Sequence, residues 1–115
     1  MSLIAREKRQ YRTRLQIAAD IIEIARNGSR KTRIMYQGNL SFDLLQRYLQ
    51  MLLNNGLLQT LDGDSSTYIA TEKGLQFLEA YIGLRKYGEM TEKNRRDLKR
   101  SLTSILEKPE EAAPA

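Results

Sequence analysis

The side chains in this sequence that could act on another molecule are cations and amides, not nucleophiles. Cysteine and histidine are both absent from the 115 residues. That removes disulfides, thiol and triad catalysis, imidazole acid–base chemistry and structural zinc. Glu23, Glu72 and Glu79 are isolated carboxylates on amphipathic patterns and read as surface residues. The chain is therefore not read as an enzyme, and no metal or cofactor is expected. What it does carry is nineteen Lys and Arg against fourteen Asp and Glu, unevenly spread: ten basic and four acidic residues through Leu58, nine and ten from Gln59 onward. Two basic groups stand out. Arg6, Lys8, Arg9, Arg12 and Arg14 are interleaved with Tyr11, and Arg30, Lys31 and Arg33 follow later. Such clusters suit a polyanion, because Lys and Arg gain affinity by releasing counterions condensed on phosphates. A solvated basic surface is the bland alternative.

Amides form the second chemical set. Gln46, Arg47 and Gln50 recur with Asp43 and Asn54 at three- and four-residue spacing, which puts them on one side of a helix. Gln pairs with adenine edges and Arg with guanine edges, so Gln46, Arg47 and Gln50 are candidate base contacts. Arg30, Lys31, Thr32, Arg33 and Ser41 are candidate phosphate contacts. Asp43 would repel phosphate and is better placed at the positive end of a helix dipole.

These side chains need elements to hold them, and the periodicity supplies a series. A helical pattern spans Tyr11 to Arg26, with Leu15, Ala18, Ile22 and Ala25 on one stripe and Asn27-Gly28 as its stop. Lys31 to Gln37 is a short helix burying Ile34 and Met35, closed by Gly38-Asn39. A third helix is capped by Ser41 and carries Phe42, Leu45, Leu49, Leu52 and Leu53 as its core stripe until Asn54-Asn55-Gly56. The period then changes: Leu57–Leu61 and Thr67–Ala70 read as two short strands around Asp62-Gly63-Asp64-Ser65-Ser66. Helix, short helix, helix, hairpin is the order of a winged helix. The fold class expected is mainly α, an α+β winged helix with a three-helix core and a two-stranded wing.

Beyond the hairpin, Thr71 caps a helix with Leu75, Leu78, Ile82 and Arg85 in phase and with Phe77, Tyr81 and Leu84 adding apolar surface, and Gly88 interrupts or bends it. From Thr91 to Lys108 a charged helix keeps a narrow stripe of Leu98, Leu102, Ile105 and Leu106. So narrow a stripe calls for a partner helix, which makes Leu84, Tyr87, Leu98, Leu102, Ile105 and Leu106 the expected homodimer surface. The expected organisation is a basic arm or helix extension over 1–14, the winged helix over 15–70, dimerising helices over 71–108 and a disordered tail over 109–115. The wing tip, with Asp62 and Asp64 and no Lys or Arg, argues against deep insertion beside phosphates. The tyrosines do not line up as a stacking platform for single strands. The longest apolar runs are too short for a signal peptide or membrane span, so a soluble, cytoplasmic protein is expected.

The stretch Gly28-Ser-Arg-Lys-Thr-Arg-Ile-Met-Tyr-Gln-Gly-Asn-Leu-Ser-Phe42, followed by Leu45, Tyr48-Leu49, Leu52, Gly56-Leu57, Tyr68 and Thr71-Glu-Lys-Gly74, resembles a family of archaeal winged-helix DNA-binding proteins. The resemblance runs from about Leu15 to Tyr81. The family includes small, basic, chromatin-associated dimers. It implies a C-terminal helix paired antiparallel with its twin, with Lys31, Thr32 and Arg33 at the second helix and Ser41 to Gln50 on the recognition helix. The function expected is double-stranded DNA binding as a homodimeric transcriptional regulator or chromatin-organising protein. A winged-helix protein-interaction module is the alternative, since fold does not fix function.

Overall fold

The computed structural model describes residues 12–61, 64–86 and 92–107. Its elements are α1 (Arg14–Ile24), β1 (Ser29–Arg30), α2 (Lys31–Gly38), α3 (Phe42–Asn54), β2 (Leu58–Leu61), β3 (Asp64–Ala70), α4 (Glu72–Lys86) and α5 (Glu92–Glu107). Helix α1 begins three residues after the expected Tyr11. The cause is Thr13, whose extended backbone and Oγ1, accepting the Gln16 N–H at 3.1 Å, make it the N-cap.

Two tight closures fix α3. Only three residues separate it from α2. Asn39 takes a left-handed φ of 54°, and the N–H groups of Asn39 and Leu40 return to the carbonyls of Tyr36 and Met35 at 3.1 and 3.0 Å. At the far end Gly56 adopts φ 74°, and the Gly56 and Leu57 N–H groups donate to Leu53 and Leu52 at 3.1 and 2.9 Å. Both closures satisfy last-turn carbonyls that lack an intrahelical partner.

The sheet has three strands in the order β1-β3-β2, all antiparallel, where two were expected. Ser29 and Arg30 lie opposite Tyr68 and Thr67. A strand of two residues is too short to leave an alternating pattern in sequence. Leu58, Gln59 and Thr60 pair with Ala70, Ile69 and Tyr68 before the register shifts at Leu61. The buried Ser29 hydroxyl donates to the Ile24 carbonyl at 3.1 Å, so β1 is also tied to α1.

One core serves every element. Ile21, Ile22, Ile34, Leu45, Leu52, Leu57 and Leu58 are its fully buried side chains. Helix α1 packs against α2, α4 and α5. Helix α4 buries Phe77, Leu78 and Leu84, whereas Leu75 and Ile82, placed by spacing on its core stripe, are exposed. The adjacent stripe is the one compatible with the close approach of Gly74 to the Leu57 backbone, where a Cβ would have no room.

The stripe expected to need a second chain is covered within the protomer. Helix α5 lies on α1 and α4. Leu102 and Leu106 are buried, and Leu98 and Ile105 are half-buried against the same core as Leu84. Arg95 adds a 2.6 Å hydrogen bond from Nη1 to the Leu84 carbonyl near the end of α4. In the folded protomer Leu84, Leu98, Leu102, Ile105 and Leu106 therefore face inward, covered by elements of the same chain. An apolar stripe gains the same burial whichever chain supplies the covering helices. Tyr87 and Gly88 lie outside the described residues. No helix among the described residues is long and apolar enough to cross a membrane.

Candidate nucleic-acid interface

Helices α2 and α3 bring the two chemical sets together. On α3 the residues Phe42, Asp43, Gln46, Arg47, Gln50 and Asn54 are exposed, while Leu45, Tyr48, Leu49 and Leu52 are buried. The three candidate base contacts thus occupy the outward face. Gln50 Nε2 donates to Asn54 Oδ1 at 3.4 Å, one turn along the helix. Asp43 sits in the first turn, where its charge complements the helix dipole. Ser41 Oγ accepts the Leu44 N–H at 3.2 Å as N-cap, which leaves the hydroxyl proton available to an acceptor outside the protein.

The cationic group lies one helix earlier. Arg30, Thr32 and Arg33 are exposed and Lys31 is half-buried. Among the described residues no carboxylate pairs with Arg30, Lys31, Arg33 or Arg47. Arg30 is also the N-cap of α2, and its side chain makes no capping hydrogen bond. Lys31 holds its ammonium 5.0 Å from the centroid of the Phe42 ring, which bridges the start of α2 to the start of α3.

The arm expectation divides. Arg6, Lys8 and Arg9 lie outside the described residues. Arg12 is instead part of the folded domain. Its Nη1 pairs with Asp20 at 2.8 Å, and its Nη2 donates to the carbonyls of Gly38 and Asn39 at 2.8 and 3.2 Å. One guanidinium therefore fastens the turn between α2 and α3 to α1, using the fork geometry that makes Arg suited to several acceptors at once. Arg14 pairs with Glu107 at the end of α5 at 2.8 Å, with both side chains more than half exposed. A pair so exposed contributes about 0–1 kcal/mol.

Beside α3 runs a groove of about 570 Å³ floored by Leu44, Tyr48, Met51 and Leu106, with Arg14, Glu107, Arg47 and Gln50 on its rim. The end of α5 is thus a neighbour of the base-contact candidates. Sequence reasoning missed this, because the contact joins residues more than fifty positions apart. It also missed Tyr36 and Phe42, which are 78% and 57% exposed on α2 and α3. Phe42 falls on the core stripe by spacing, but the first turn of α3 overhangs the core and leaves the ring outside. Helix α5 presents Lys93, Arg96, Lys99 and Arg100 to solvent, a basic face hidden in a half-chain charge count by the acids around it. Asp62, at the wing tip, lies outside the described residues. Among the described residues no cluster of three or more His, Cys, Asp or Glu could hold a metal ion.

A model of the winged helix-turn-helix family matches residues 11–92. The uncharacterized protein MJ0287 of Methanocaldococcus jannaschii is 33% identical over 55 residues, covering 47% of this chain and 57% of that protein. The chain thus spans little more than half the length of this relative. Among solved structures, Sso10a-2, a DNA-binding protein from Sulfolobus solfataricus, superposes with a TM-score of 0.56 at 24% identity, over 83% of this chain and 97% of that one. At that identity the likeness concerns the fold. The family match spans most of the chain and takes in α1 to α4, so this protein belongs to the winged helix-turn-helix family.

Proposed function

We propose that this protein binds double-stranded DNA, with α3 in the major groove and α2 across the phosphate backbone, and that it regulates transcription. The observation that carries the reading is the joint exposure of Gln46, Arg47 and Gln50 on α3 beside Arg30, Lys31 and Arg33, with no carboxylate of the described residues paired to those cations. Phosphate contacts position a protein and base contacts specify the site. The presence of both kinds on one surface supports a sequence-reading regulator over a purely architectural duplex organiser. Family membership and the DNA-binding structural neighbour support the DNA-binding part of this reading. Nucleoid association follows from the same proposal.

The test is affinity for a mixed-sequence duplex across a salt series, with single-stranded DNA and double-stranded RNA in parallel. Duplex DNA is expected to bind best, and its affinity to fall by roughly a thousandfold between about 50 and 200 mM salt, as some six phosphate contacts require. No duplex binding at low salt would overturn the reading and leave protein docking in its place.

The homodimer belongs to the same proposal, in a form that keeps the α5 contacts. Within one protomer Leu102 and Leu106 lie on their own core; we infer that in the dimer two copies exchange α5, each laying the same stripe on α1 and α4 of the other. Exchange of an identical element is a low-cost route to a dimer. Because the chain has no cysteine, a double variant Arg14→Cys/Glu107→Cys with a bis-maleimide linker distinguishes the arrangements. Exchange gives a chain-to-chain cross-link of doubled mass, whereas linkage confined to single chains would exclude it.

A further inference from the structure

Phe42 is a large aromatic side chain left 57% exposed in a protein that buries Phe77, Tyr48 and Tyr68. Its position is the first residue of α3, directly after the Ser41 cap, and Gln46 stands one turn further along the same side. The residues at the N-terminal end of a recognition helix are the ones that reach base edges. The Lys31 ammonium lies 5.0 Å from the ring centroid, within reach of a cation–π attraction. A cation fixed by a phosphate would therefore present an apolar ring beside it, at the edge of the groove.

The major groove offers one apolar group for such a ring, the C5-methyl of thymine. We propose that Phe42 reads thymine, packing its ring on a thymine methyl beneath the start of α3 while Lys31 holds the adjacent phosphate. This assignment rests on the DNA-binding reading and adds to it a base preference that neither glutamine nor arginine supplies. It also accounts for the exposure: the ring surface that is wet in the isolated protein becomes covered in the complex.

The experiment compares the full-length protein on two duplexes of one A·T-rich sequence, one with thymine and one with uracil in its place, which removes the methyl and keeps every hydrogen-bonding edge. Wild type is expected to bind the uracil duplex more weakly, by about 4-fold for each methyl covered. Phe42→Ala should bind both duplexes equally, at about the affinity of wild type for uracil, with an unchanged salt slope. Phe42→Leu should retain part of the preference. Far-ultraviolet circular dichroism confirms that the variants fold, as expected for an exposed side chain. Equal affinity of wild type for both duplexes under steeply salt-dependent binding overturns the thymine assignment alone. So does a preference for thymine that survives Phe42→Ala. Failure of wild type to bind any duplex overturns the assignment together with the reading it rests on.

Discussion

Gly74→Ala is expected to lower unfolding stability by about 3 kcal/mol or more, although alanine is the better helix former by about 1 kcal/mol. The first turn of α4 grips the connection between α3 and β2. Thr71 donates its backbone N–H to the Leu57 carbonyl at 3.1 Å and its hydroxyl to the Gly56 carbonyl at 2.6 Å, while Thr71 Oγ1 accepts the Gly74 N–H at 3.0 Å. Lys73 Nζ reaches the Asn55 carbonyl at 2.9 Å. A Cβ on Gly74 would fall on the Leu57 carbonyl oxygen, far inside van der Waals contact. That obstacle is backbone and cannot rotate away, and Leu57 is itself fully buried. Relief requires α4 to lift, which opens the Thr71 contacts and the packing of Phe77 and Leu78. Gly38→Ala is the control: its added Cβ would meet side-chain atoms alone, Leu40 Cδ1 and Cγ at 3.2 and 3.4 Å and Ile24 Cδ1 at 3.6 Å, and stability should stay within about 1 kcal/mol of wild type. Urea unfolding of the two variants measures the difference, and equal midpoints would contradict this account of the α4 contact.

The same region shows what the sequence could and could not reveal. Helix α3 was legible because Ser41, the leucines at helical spacing and Asn55-Gly56 all agree on one element, and the change of period after Gly56 placed the hairpin. The phase of α4 was not legible. The stripe through Leu75, Leu78 and Ile82 and the one through Phe77, Leu78 and Leu84 differ by a fraction of a turn, and the close approach at Gly74 is compatible with the second. Phe42 shows the limit at a helix end, where correct spacing no longer ensures burial because the core stops before the helix does. The α5 stripe announced a need for cover without saying whose. Arg12 and Arg14 sit in a basic run, yet their acceptors, Asp20, the carbonyls of Gly38 and Asn39, and Glu107, belong to elements brought to them only by folding. Among the candidate DNA contacts, chemical type and helical face could be read from sequence, whereas neighbours across elements could not.

Replacing Arg30, Lys31 and Arg33 together by Gln is expected to weaken duplex binding about 100-fold near 0.15 M salt, equally for every sequence, and to reduce the salt slope by about 2.7. The magnitude follows from counterion release, at about 0.9 ions for each of the three phosphates that the variant no longer neutralises. The fold should tolerate the change, since Arg30 and Arg33 are exposed, no carboxylate of the described residues pairs with any of the three, and Gln is a helix former comparable to Lys and Arg. Within the protein the substitution removes the Lys31 ammonium from the Phe42 ring, an attraction of about 0.5–1 kcal/mol at an exposed site. Arg47→Ala provides the contrast from the neighbouring helix. A side chain that reads a guanine edge should cost about 1–3 kcal/mol when truncated on sites containing that base and little on others, which changes the ranking of sequences as well as the affinity. Fluorescence anisotropy with a panel of duplexes at several salt concentrations separates the two behaviours. If the triple variant kept the wild-type slope, α2 would not lie on the backbone and α3 would have to enter the groove in another orientation. If Arg47→Ala weakened all duplexes alike, Arg47 would be a phosphate contact, and base reading would fall to Gln46 and Gln50, the remaining exposed hydrogen-bonding candidates on that face.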